Sequence, residues 1–152
     1  MKNLYEASTV DEVKQRLSQL GPTSQRQWGK MDPAQALAHC CAALEMAMAT
    51  GENHPKRILI GRLLGPIAKK SLVLKGEPMR RNSQTHQSVL IDGPRDFAPE
   101  KERLLAAIDH FDTGGPEVCT RHQHFFFGPL TPQEWSALMY QHLDHHLRQF
   151  GA

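Results

Sequence analysis

The stretch Thr131-Pro-Gln-Glu-Trp135-Ser-Ala-Leu-Met-Tyr140-Gln-His142-Leu-Asp-His145-His146-Leu-Arg-Gln-Phe150 decides how the chain is read. Thr131 is a helix N-cap, Pro132 suits the first helical position, and Glu134 can reach back to the cap amide to complete a capping box. The spacing predicts a helix running to Phe150, stopped by Gly151. At about 100° per residue, with His142 at zero, Trp135, Leu138, Met139, His146 and Phe150 fall within roughly 80° of it. Gln141, Asp144 and Arg148 fall on the other side. His142 and His146 therefore occupy the middle of the face that must be buried, one turn apart. His145 sits at its edge.

Burying two imidazoles is costly unless their ring nitrogens find partners. Two neutral imidazoles at i and i+4 can both reach one ion, the spacing used by helical zinc sites. The same spacing also suits a hydrogen-bonded core pair or the wall of a wet cleft. A metal would want a third protein ligand, and His39 is the best candidate. It lies on the small-residue side of an otherwise apolar helix, beside Ala42 and Ala43, which leave room for a cavity. Asp144 points away from the pair and is not a candidate. Cys40 and Cys41 read as buried free thiols.

Outward from this segment, helix signals recur. Thr9-Val10-Asp11-Glu12 reads as a capping box for a helix with Val13, Leu17 and Leu20, stopped at Gly21-Pro22. Asp32-Pro33 starts a helix that runs to Thr50-Gly51 and is apolar on nearly every side. A third helix is expected over Lys56–Lys70, with an irregularity at Gly65-Pro66. Residues 71–97 lack a steady period and read as loop, with a short strand at Ser88–Ile91. A fourth helix starts near Pro99 and ends at Thr113-Gly114-Gly115. The expected architecture is all-α, one domain over residues 1–152. It is a four-helix bundle with an extra short helix and a long irregular connection.

The 152 residues suit a single domain, and 39% apolar residues supply a core that a disordered chain lacks. A formal charge of +2 and no aromatic interleaving of basic residues argue against nucleic acid as a partner. No apolar run reaches the roughly 20 residues of a membrane span, and the N-terminal residues lack a signal-peptide core. Three cysteines, two adjacent, do not make a disulfide framework, so a cytoplasmic protein without membrane partners is expected. Charge is nonetheless uneven, because residues 52–81 hold eight basic and two acidic side chains. That stretch reads either as a solvated basic helix face or as a surface attracting an anionic substrate.

Three segments carry a family resemblance: Trp28-Gly-Lys-Met-Asp-Pro-Ala-Gln-Ala-Leu-Ala-His39-Cys40, His124-Phe-Phe-Phe-Gly-Pro-Leu-Thr-Pro-Gln-Glu-Trp135, and His142-Leu-Asp-His145-His146-Leu-Arg-Gln-Phe150. Together they resemble a bacterial branch of unknown function within the DinB-like superfamily, the YfiT-like metal-dependent hydrolases. The resemblance is weakest over residues 52–118. It implies an up-down-down-up four-helix bundle with a three-histidine metal site, and by motif position the ligands are His39, His142 and His146. Related members include bacillithiol and mycothiol S-transferases and a thiol-dependent isomerase, and dimers are common.

The expectation is thus a metal-dependent enzyme of hydrolase or thiol S-transferase type. Its ion would be divalent, zinc or nickel ahead of iron or manganese. Its substrate would be a small molecule, anionic or thiol-bearing, and the chain would be a homodimer. The competing reading is a non-catalytic helical module that binds metal or dimerises. His145 and His124 are candidates for acid/base work, and Gln35 for holding a water.

Overall fold

A computed structural model describes residues 2–49 and 54–152. Its five α-helices are α1 (Ala7–Gln19), α2 (Pro33–Met48), α3 (Leu59–Ala68), α4 (Phe97–Gly114) and α5 (Pro132–Gln149). No strand occurs among the described residues, where the expected strand at Ser88–Ile91 is a short 3-10 turn, Gln87–Val89. Near His124 the backbone makes one isolated antiparallel bridge with Gly128 and no longer ladder.

Local chemistry sets the ends of the two helices that matter most. Asp32 accepts from the Gln35 amide, and the Gln35 side chain accepts from the Asp32 amide, a closed capping box with Pro33 in the first turn. Thr131 and Glu134 make the same reciprocal pair at the start of α5. Each box satisfies two amides that a helix start would otherwise leave bare. The start of α1 differs from expectation. Thr9 is not its cap: the helix begins at Ala7 with Glu6 at the N-cap, and the Thr9 hydroxyl bonds the Glu6 carboxylate from inside the first turn. The chain is pinned just upstream, where Leu4 is fully buried and Tyr5 stacks on Phe111 with ring centroids 5.2 Å apart. The expected end of α2 at Thr50-Gly51 lies outside the described residues; the helix is described to Met48.

Four helices share one core. α2 packs most broadly on α4 and also meets α5, while α1 touches α4 and α5. Leu17, Leu37, Cys41, Leu44, Leu104, Ile108, Phe111, Trp135 and Leu143 are all at most 2% exposed. Trp135 brings the largest apolar surface of the set, and burial of such rings dominates core energetics. α2 is buried nearly all round, as its composition requires.

α3 lies outside this core. It continues into a π-helical turn, Lys69–Leu74, from which Val73 alone is fully buried. The expected helix over Lys56–Lys70 therefore starts later, at Leu59, and is underwound toward its end, where it runs into the π-helical turn. Its outer side carries exposed Arg62, with exposed Lys70 just beyond, as a solvated basic face would, but it also turns out Leu59, Leu63 and Ile67, each at least 70% exposed. The buried residues of α3 are Gly61 and Gly65. A Cβ on either would run into the Phe126 carbonyl, so the helix seats on the 125–127 loop backbone to backbone.

Candidate metal centre

His39 projects from the middle of α2, and His142 and His146 project one turn apart from the second half of α5. Where the helices meet, the three rings form a near-equilateral triangle. Ring centroids stand 4.7 Å apart for His39–His142, 4.9 Å for His39–His146 and 4.8 Å for His142–His146. One nitrogen from each ring lies within 4.8 Å of the other two. Nitrogens sharing a tetrahedral ion at 2.0–2.1 Å would be about 3.3 Å apart, a spacing that small side-chain rotations would reach. The cluster fits a metal ion.

The surroundings fix which nitrogens face inward. His39 Nδ1 donates to the Val89 carbonyl at 2.7 Å, so its Nε2 carries the lone pair. His146 Nδ1 is 2.8 Å from Gln149 Oε1. The Gln149 carboxamide is oriented by its Nε2, which donates to the Trp28 carbonyl at 2.9 Å. Oε1 must therefore accept, Nδ1 must donate, and His146 too presents a bare Nε2. His142 Nε2 lies 2.9 Å from His39 Nε2. Without an ion, His142 must be the donor there and carries its proton on Nε2. Binding a cation would move that proton to Nδ1. Outer partners of this kind orient ligand rings and raise their basicity.

Electrostatics keeps the cluster neutral. Burial lowers the pKa of all three imidazoles, that of His146 to about 3 and that of His142 well below its ordinary value. The neighbouring rings oppose protonation of His142 and His146 further. Neutral imidazole is the ligating form, so the site is poised to coordinate at neutral pH. His39 and His146 are buried and His142 is partly open, giving the cluster one accessible side.

His145 stands next to the triad, edge-on to His146 at 5.0 Å and tilted against the Trp28 indole at 5.7 Å. Its pKa is lowered, first by burial and then by the positive charges of Arg148 and Arg81, against the opposing pull of Asp144. His124 is buried in the 122–128 loop, where its Nδ1 accepts from the Phe126 and Phe127 amides at 3.1 and 3.2 Å. Burial lowers its pKa to about 3. Gln35 is fully engaged: its oxygen closes the α2 cap, and its nitrogen donates to the Gly93 carbonyl at 3.0 Å. Cys40, Cys41 and Cys119 are free, buried thiols, and burial pushes Cys41 up to about 11. Of the other histidines, His110 is exposed, His54 stacks on His122 and His86 stacks on Phe125.

Sequence reasoning missed two residues that organise the site. Gln149, three positions after His146 and 2% exposed, carries a signal that could have found it: a polar residue on the buried side one turn from a histidine. Val89 contributes only its carbonyl, and a backbone acceptor leaves no trace in residue identity.

Comparison with known proteins gives one match. The family model described as "Protein of unknown function (DUF1569)" matches residues 3–152. No curated protein and no solved structure is significantly similar to the chain.

Proposed function

The chain belongs to the DUF1569 family, whose function is not established, and from its site we propose that it is a metal-dependent enzyme of hydrolase or thiol S-transferase type, built as a DinB-like four-helix bundle. The observation that carries this reading is the convergence of His39, His142 and His146, each neutral, with the outer nitrogens of His39 and His146 held by Val89 and Gln149. Imidazole donors suit zinc, nickel and iron, and zinc or nickel is our choice for this all-nitrogen set. A bound divalent cation with three neutral ligands supplies Lewis acidity toward water, a thiol or a carbonyl at its open side.

The residues of the chain divide the rest of the work. His39 and His146 are preset by their outer hydrogen bonds, so little reorganisation accompanies coordination. His142 faces the open side and adjusts its proton between ring nitrogens. His145, neutral at neutral pH and without a hydrogen bond among the described residues, can accept a proton at its bare ring nitrogen from a group held beside the cluster. Leu37, Cys40, Leu143 and Leu147, all buried around His146, close the inner side against water.

The test is metal analysis of protein purified without a polyhistidine tag and reconstituted with zinc or nickel. One ion per chain, lost in His142→Ala, supports the reading; no uptake by the wild type overturns it. Chelation then separates a catalytic from a structural ion: an unchanged fold after metal removal favours the enzyme, and unfolding favours the non-catalytic module.

A further inference from the structure

Beside the histidine cluster lies a cleft of about 540 Å³ that the metal reading leaves unused. Its walls come from three separate parts of the chain: Gln27 and Trp28 ahead of α2, Met79 and Arg81 from the long connection, and His145 with Arg148 from the last turns of α5. The three clustered histidines do not line it. His145 is the shared wall, facing Trp28 on one side and His146 on the other.

The cleft has more positive charge than its own acidic group can use. Its carboxylate, Asp144, accepts from Arg16 at 2.8 Å, and the same guanidinium donates to the Ala152 carbonyl at 3.0 Å. Arg148 pairs with Asp144 through Nε at 3.4 Å, and its two terminal nitrogens make no hydrogen bond among the described residues. Arg81 makes no hydrogen bond or ion pair among the described residues; its guanidinium lies 4.1 Å from the centre of the Trp28 ring. A guanidinium stacked on an indole keeps its N–H groups free around its edge. Two arginine forks with unused donors thus face one concavity, the arrangement that recognises oxyanions. Trp28 and Met79 add apolar wall.

We propose that this cleft binds a small molecule that presents a carboxylate or phosphate to Arg81 and Arg148 and rests an apolar body against Trp28 and Met79. As a substrate subsite the proposal rests on the metal-enzyme reading; as a binding site it stands without the ion. The two sites share one carboxamide. Gln149 holds His146 through Oε1 and Trp28 through Nε2, and its own carbonyl accepts from the Gln27 amide at 2.7 Å. The oxyanion and the ion would therefore be held by opposite ends of one hydrogen-bonded chain.

The experiment is calorimetric titration of full-length protein, zinc-loaded and metal-free, with phenyl phosphate, benzoate, inorganic phosphate and benzyl alcohol. Phenyl phosphate or benzoate is expected to bind saturably, one per chain, with the tighter of the two naming the oxyanion. Inorganic phosphate should bind more weakly and benzyl alcohol not at all. Arg81→Ala and Arg148→Ala, both at exposed positions, should each weaken binding about tenfold, the loss of one charge-assisted pair. His142→Ala, which removes the ion, should bind the oxyanion as metal-free wild type does. Failure of phenyl phosphate and benzoate to bind, or undiminished affinity in the Arg81→Ala/Arg148→Ala double variant, overturns the proposal. Oxyanion binding in a protein that takes up no zinc would leave the cleft standing while the metal reading fell; zinc uptake without oxyanion binding would do the reverse.

Discussion

α5 and α3 break the inside–outside rule in opposite directions. α5 buries His146 and two glutamines, Gln141 and Gln149, among its leucines, and α3 turns its leucines and isoleucines outward. In α5 the exception explains itself from within, because the polar side chains of the cluster meet one another: His146 meets Gln149, Gln149 meets Trp28, and His142 meets His39. In α3 nothing among the described residues covers the exposed side chains, whose helix is seated through two glycines. Buried polarity that is fully partnered is evidence of a built site, whereas exposed apolar surface says only that core packing did not place those residues. The first carries chemistry without further observation; the second does not.

The contrast breaks most readily at Trp135, the fully buried ring in the first turn of α5. Trp135→Ala is expected to cost about 3–5 kcal/mol, the range for deleting a core aromatic. A urea midpoint near that of wild type would mean the seam is not anchored as described. Next is Gln149→Leu, which keeps the volume but removes both ends of the carboxamide bridge. Loss of an outer partner of a ligand histidine lowers metal affinity about 10- to 100-fold. Competition with a chromophoric chelator measures it, and wild-type affinity would show that His146 needs no orientation.

Acidity sharpens the comparison, because α5 and the 122–128 loop carry depressed histidines and α3 carries none. His124 and His146, with pKa values lowered to about 3, stay neutral in the folded chain where the unfolded chain takes up protons below about 6.5. Their contribution is complete above that value and is lost as pH falls toward 3, by up to about 1.4 kcal/mol per group per pH unit. Metal-free protein should therefore lose urea resistance between pH 7 and 5. His124→Asn, which keeps a short acceptor for the loop amides, should show a shallower decline; an unchanged slope would exclude His124 as a contributor. The smallest effect belongs to α3: Leu63→Gln should shift stability by no more than about 0.5 kcal/mol, since the side chain is 73% exposed. A large drop in melting temperature would show that this helix is covered after all.

Much of this arrangement was legible in the sequence, and the reasons differ by residue. The starts of α2 and α5 were readable because caps are local chemistry, written within four residues. His142 and His146 were readable because a helix places i and i+4 on one face, and His39 because small apolar neighbours marked its side for burial. The start of α1 was not, since it is anchored by the buried Leu4 and by Tyr5 stacked on Phe111, over a hundred positions away. The oxyanion cleft was hidden for the same reason: Trp28, Arg81 and Arg148 meet only once the chain is folded. The basic run that includes Arg81 was visible, but composition alone did not separate it from the apolar outer face of α3.

The glycine seat of α3 has a consequence for how the molecule breathes. A helix held by close backbone approach, with no side chain wedged into the interior, can lift from the 125–127 loop while every core contact stays closed. Amide protons of α3 then reach solvent by such partial openings, and those of α2 and α5 exchange only when the entire interior opens. Access to the loop that shelters His124 is thereby governed separately from the integrity of the histidine cluster.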